Sequence, residues 1–120
     1  AMPVADARRV SGLGWISMAA HSDDDVRRAR DLGADAVLVS PIHATPGKGP
    51  GRGRSALVAA HAIGDSTLRV YALGGLRAED ARECKDAGAD GVAVIRALLH
   101  APDPGAEALA LCTPFLSRVT

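Results

Sequence analysis

The chain has 120 residues, 48% of them hydrophobic and 23% charged, and its 14 basic side chains balance 14 acidic ones. That hydrophobic share supports a folded core and excludes a disordered chain. The charge balance leaves no basic stripe for a phosphate backbone, and one Trp, one Tyr and one Phe leave no stacking platform for bases.

In chain order, Ala1-Met2-Pro3 lacks a charged segment leading into an apolar one, so no signal peptide is expected. Ala1 ahead of Met2 reads as a cloning remnant before the true start. Trp15 to Ala20 predicts a first strand. Ser22, followed by Asp23, Asp24 and Asp25, predicts a helix start, with the hydroxyl as cap and carboxylates at the positive helix end. Gly33 ends that helix. The run from 35 to 39, apolar from Ala36 on, has no polar alternation, as in a parallel strand covered on both faces.

Ser40 to Arg54 is a loop too long for a plain connection, and it follows the carboxyl end of a strand, where ligands sit in α/β folds. Ser55 to Ile63 predicts a helix, ended near Gly64-Asp65, and Arg69 to Leu73 a strand. A helix from Ala78 to Ala87, a strand from Gly91 to Ile95, a short helix at Arg96 to Leu99 and a helix from Gly105 to Leu116 complete the order. Pro114 disturbs the last turn. No apolar run approaches the roughly 20 residues of a membrane span.

An internal repeat runs through this order. Asp31-Leu32-Gly33-Ala34-Asp35-Ala36-Val37-Leu38-Val39 returns as Asp86-Ala87-Gly88-Ala89-Asp90-Gly91-Val92-Ala93-Val94, at an offset of 55 residues (Asp31 to Asp86). The expected fold is therefore α/β, with four parallel βα units and right-handed crossovers in a single domain over 1–120.

Candidate site residues gather at the predicted strand ends. Gly74 and Gly75 follow a strand and open a helix, so their amides suit an anion, though a ligand-free tight turn explains them equally well. In eight-stranded barrels the loops after strands seven and eight often hold phosphate, which favours the anion reading. Arg96, at the start of the short helix, adds a second set of amides. Thr45 and Lys48, on a glycine-rich tether, suit a phosphate or pyrophosphate; a solvated basic loop with Arg52 and Arg54 is the plainer alternative. His43 and His21 are candidate acid–base groups, against a structural role for each. Helix-start chemistry explains Asp23, Asp24 and Asp25, so no metal site is expected there. Cys84 and Cys112 form neither a disulfide framework nor a metal pair. Arg27, Arg28, Arg30, Glu79, Arg82, Glu83 and Lys85 read as solvated helix faces.

These motifs resemble thiamine-phosphate synthase and the related TenI group, through five stretches in order. They are His21-Ser22; Gly33-Ala34-Asp35; Ser40-Pro41-Ile42-His43-Ala44-Thr45-Pro46-Gly47-Lys48; Ala72-Leu73-Gly74-Gly75-Leu76; and Gly88 to Ile95. Pro3 to Gly12 looks like the segment leading into that family's fifth strand. The resemblance covers only the carboxyl-terminal half of the family and implies half of a TIM (β/α)8 barrel. It implies a synthase that joins a pyrimidine pyrophosphate to a thiazole phosphate with Mg²⁺, releasing pyrophosphate.

By position, Thr45 and Lys48 match the phosphate-contacting loop, Gly74 and Gly75 the thiazole-phosphate glycines, and Ile95 the eighth-strand backbone completing that cradle. Lys48 and His43 become the candidate catalytic residues. The family's Mg²⁺ ligands lie in the other half, so Mg²⁺ is expected only with a complete site. Ala19, Ser40, His43 and Arg96 depart from the synthase pattern, and Pro41 stands where a tautomerase histidine would fall. A barrel needs about 200 or more residues. Four strands therefore leave raw edges and an uncovered face, to be closed by a homodimer, a separate chain carrying the first half, or a rearranged packing. The expected protein is cytoplasmic and binds a phosphorylated small molecule without catalysing alone. The alternatives are a non-catalytic phosphate-binding half-barrel, a TenI-like thiazole tautomerase relative, and an inert fragment.

Overall fold

The computed structural model describes residues 15–43, 50–94 and 96–116, and only the backbone of Arg96. The first strand, β1 (Ser17–Ala20), leads into helix α1 (Asp23–Leu32), whose ends follow the sequence logic. Ser22 Oγ accepts the Asp25 N–H at 3.1 Å, and three aspartates occupy the first turn. Gly33, at φ 81°, donates its N–H to the Ala29 and Arg30 carbonyls.

Strand β2 (Ala36–Val39), helix α2 (Arg54–Gly64) and strand β3 (Arg69–Leu73) follow. The predicted helix over 78–87 divides into a 3-10 turn (Ala78–Asp80) and α3 (Ala81–Asp86). Strand β4 (Gly91–Ala93) precedes α4 (Arg96–Leu99) and α5 (Pro104–Cys112), which Asp103 caps through the Ala106 N–H at 3.1 Å. Pro114 lies in a closing 3-10 turn, Thr113–Phe115, so the last α-helix stops short of the expected Leu116. Strands one and four are likewise shorter than their apolar runs. No helix among the described residues is long and apolar enough to cross a membrane.

All strand pairs are parallel, in the order β1-β2-β3-β4. Alternation then sorts their side chains onto two faces. Met18, Val37 and Val70 share one face with Ala20, Val39, Ala72 and Val92, in one apolar cluster with Val26, Ala29, Leu57, Ala60 and Cys84 of the helices. Val26, Val37, Val39, Leu57 and Val70 are fully buried, worth roughly 1.5–3 kcal/mol apiece.

The opposite face carries Ser17, Ala19, Ala36, Leu38, Arg69, Tyr71, Leu73, Gly91 and Ala93, and all but the fully buried Ala36 are at least partly exposed. The sheet is open, with helices over one face: the parallel α/β sheet that the four-unit pattern predicts, and half of a TIM (β/α)8 barrel as the resemblance implies.

The repeat is built into the hydrogen bonding. The Asp35 carboxylate accepts the Ile16 N–H at 2.8 Å, and Asp90 accepts the Val70 N–H at 2.9 Å. The Asp35 and Asp90 N–H groups donate back to Ile16 and Val70 at 2.8 and 2.7 Å. Each Gly-Ala-Asp copy thus ends a helix and clamps the start of one strand to the strand before it.

Candidate functional site

The segment after β2 closes a seam on both sides. Ser40 N–H donates to the Ala20 carbonyl at 3.1 Å, while Ile42 and His43 donate to Leu73 and Gly74, each at 3.0 Å. The far end of the loop returns to the same point, with Arg52 N–H on Pro41 O at 2.7 Å and Gly53 N–H on Ile42 O at 2.9 Å. The Ser40–Pro41 peptide is cis. Two stretches that are distant in the loop therefore share one root, directly over the end of β3.

Gly74 and Gly75 stand at that end with φ values of 112° and 66°. A Cβ on Gly74 would lie 2.9 Å from Pro41 Cα and 3.2 Å from Ile42 N. Both the backbone angle and the close approach demand glycine. Gly74 packs directly on Pro41 and Ile42, while Gly75 is exposed main chain where β3 ends, and the next strand over, β4, runs toward α4 at Arg96.

His43 sits beside this turn. Its Nε2 lies 3.5 Å from Asp80 Oδ1, forming an ion pair when the ring is protonated. Asp80 Oδ2 accepts the Arg77 N–H at 2.9 Å, so the carboxylate is held while it faces the imidazole. Glu107 of α5 accepts the Ala78 N–H at 3.2 Å and ties the segment following the glycines to the last helix. His43 keeps 44% of its side chain exposed and remains open to an incoming group.

His21 belongs to a neighbouring cluster. Its Nδ1 is 3.3 Å from Ser40 Oγ, and its N–H donates to Asp25 at 2.9 Å. Arg52 enters the same cluster: its guanidinium reaches the Ala20 carbonyl at 3.3 Å, the Ser40 carbonyl at 3.5 Å and Asp23 Oδ1 at 3.4 Å. Asp23, Arg52, Ser55 and Ala56 line an open recess of about 420 Å³ there.

Thr45, Lys48 and Ile95 lie outside the described residues, as do the side chain of Arg96 and the stretch from Pro3 to Gly12. The structure thus brings His43 to Gly74 and Gly75, and places His21 with Ser40 one strand over. The sequence reading missed Arg52, Asp80 and Glu107. The glycines flanking Arg52 are the one visible sign that it differs from a solvated loop cation. Arg30 also departs from a purely solvated face, because its Nη1 donates to the Ile63 carbonyl at 3.3 Å and joins α1 to α2. Among the described residues, no group of three or more His, Cys, Asp or Glu side chains is placed to hold a metal ion.

The thiamine monophosphate synthase family model matches residues 1–98. Thiamine-phosphate synthase of Geobacillus thermodenitrificans is 38% identical over 119 residues, covering 90% of this chain and 51% of that relative. The enzyme of the same name from Albidiferax ferrireducens is 39% identical over 117 residues, covering 92% of this chain and 51% of that relative. Among solved structures, the thiamine phosphate pyrophosphorylase from Pyrococcus furiosus superposes with a TM-score of 0.78 at 27% identity. The match covers 95% of this chain and 55% of that one. The chain spans about half the length of the curated relatives it matches.

Proposed function

Because the chain belongs to the thiamine monophosphate synthase family, we propose that it supplies the phosphate-cradling half of a thiamine-phosphate-synthase-type barrel in cytoplasmic thiamine biosynthesis. It binds thiazole phosphate or pyrophosphate at the carboxyl ends of its strands and does not complete the transfer alone. The observation that carries this reading is the Gly74–Gly75 turn, with its positive φ angles and the β2 loop root packed against it. Bare amides at a strand end in this position form an anion cradle.

In this reading Gly74, Gly75, Ile95 and Arg96 hold the phosphate by backbone amides. Thr45 and Lys48 are its side-chain contacts, the lysine as a point charge. His43, oriented by Asp80, moves a proton at the edge of the same pocket. The full reaction joins thiazole phosphate to a pyrimidine pyrophosphate with loss of pyrophosphate, and in the family Mg²⁺ assists it. By the family pattern, the Mg²⁺ ligands and most of the pyrimidine contacts come from the first half of the barrel, which this chain does not contain.

Thermal melting with thiazole phosphate, inorganic phosphate and pyrophosphate tests the cradle. A rise in Tm with thiazole phosphate that is reduced in Lys48→Ala supports it; a Tm unmoved by all three overturns it. Removing one charge-assisted contact is worth about 1.5–3 kcal/mol, so Lys48→Ala weakens binding about tenfold or more. Incubating the chain alone with both precursors and Mg²⁺ gives no thiamine phosphate on this account. Steady product formation would restore independent catalysis.

A further inference from the structure

The two halves of the chain obey one register. Ser17 pairs with Ala36 as Tyr71 pairs with Gly91; Met18 with Val37 as Ala72 with Val92; Ala19 with Leu38 as Leu73 with Ala93. A βαβ unit is therefore used twice. The seam between its two uses, β2 against β3, shows how one unit receives the next: Ala36 faces Arg69, Val37 faces Val70, Leu38 faces Tyr71, and the Arg69 N–H donates to the Asp35 carbonyl at 3.0 Å.

We infer that β4 receives β1 of a second copy of this chain through the same seam, so that two copies close one eight-stranded barrel about a two-fold axis. Carried forward by the repeat, the seam sets Gly91 against Trp15, Val92 against Ile16 and Ala93 against Ser17 of the second copy. Asp90, the counterpart of Asp35, offers its carbonyl to the Trp15 N–H.

Three observations support closure by this occupant. The first is geometric. From Ala19 the register runs through Leu38, Tyr71 and Gly91, and the inferred seam brings it to Trp15 of the second copy. One half turn thus displaces the register by four positions, Ala19 to Trp15. Two copies displace it by about eight, the shear that closes a (β/α)8 barrel.

The second is the exposed face itself. Trp15 is 60% exposed, and Ala19, Leu38, Tyr71, Leu73 and Ala93 are all at least partly open. Gly91 carries no side chain on this face because the Tyr71 ring packs over it, a Cβ there lying 2.9 Å from that ring. The inferred register sets Trp15 of the second copy next to the Tyr71 ring.

The third is that β1 and β4 are the outer strands of the sheet among the described residues, and open edges recruit strands. The repeat makes β1 of a second copy the counterpart of β3, the strand that β2 already accepts. Each phosphate cradle would then face strand ends from the other copy. The inference goes beyond the ligand reading and stands without it, because assembly is read without any ligand.

Sedimentation of the unmodified 120-residue chain tests it directly, with emission from its single Trp followed on dilution. Twice the chain mass, with emission moving to longer wavelength as the species dissociates, is expected. A monomer at all concentrations overturns the inference, as does a chain that pairs only with a separately supplied first half. Ser17→Cys with Ala93→Cys, in a Cys112→Ser background, tests the register. Within one chain these positions lie three strand spacings and four register positions apart, roughly 20 Å and beyond disulfide reach. Oxidation to a covalent dimer supports the seam. A dimer that crosslinks instead through Ser17→Cys with Val92→Cys overturns it.

Discussion

Replacing Asp90 by alanine removes the acceptor for the Val70 N–H, held at 2.9 Å where β3 begins to run through the core. The Val70 side chain is fully buried and its strand is flanked on both sides, so water cannot freely replace the carboxylate. An orphaned N–H in such a place costs about 1–3 kcal/mol. Asp90 itself is exposed, which limits the charge contribution and sets the expectation at about 2 kcal/mol. Asp90→Asn keeps an acceptor oxygen at the same reach and recovers about half of that loss, since neutral bonds are roughly half as strong as charge-assisted ones. Urea unfolding at one fixed protein concentration measures both variants, the midpoint moving while the slope stays constant. A loss below about 0.5 kcal/mol for Asp90→Ala, typical of an ordinary surface change, would refute the clamp and the structural meaning of the repeat.

Gly74→Ala forces a side chain into φ 112° and against Pro41 Cα. A loss of about 1–3 kcal/mol in chemical denaturation is expected, together with weaker thiazole-phosphate binding; wild-type values for both would deny the turn its role. Arg52→Ala removes three polar contacts that gather β1, β2 and α1. Calorimetry should record a loss of about 1–2 kcal/mol, and an unchanged Tm would mark those contacts as idle. Burial, then the charges of Asp80 and Glu83, pushes the Cys84 thiol up from its ordinary 9.0 to about 11. At pH 8 a thiol reagent should therefore modify exposed Cys112 quickly and Cys84 only on unfolding. The folded thiol holds its proton above the unfolded pKa, so its stability contribution is full below pH 9 and is lost as pH rises toward 11. Cys84→Ala should flatten that part of the stability–pH curve.

Much of the fold was legible because local chemistry and tertiary structure agree. Ser22 and Gly33 bound their helix through bonds that need no distant partner, and Arg69 to Leu73 is a strand over its full predicted length. The run from 35 to 39 could be read as a parallel strand because it has no polar alternation, but helices cover only one face of β2, and Leu38 on the other stays partly exposed. Other features depend on contacts across the chain. The break between Ala78–Asp80 and α3 coincides with Asp80 turning back to Arg77 and out to His43, and no periodicity announces that. Helix α2 ends at the expected Gly64-Asp65 stop, though the left-handed cap falls on the aspartate and not on the glycine. The glycine pair was visible as a candidate cradle, whereas the return of Arg52 and Gly53 to Pro41 and Ile42 became visible only in three dimensions.

The central claim is that this half-barrel carries a phosphate cradle at the end of β3. Amide-resolved NMR during titration with thiazole phosphate tests it most directly. The account predicts saturable shifts concentrated on the Gly74, Gly75 and Leu76 amides, with His43 following. Shifts centred on the Asp23–Arg52 recess, or none at the glycine pair, would contradict it.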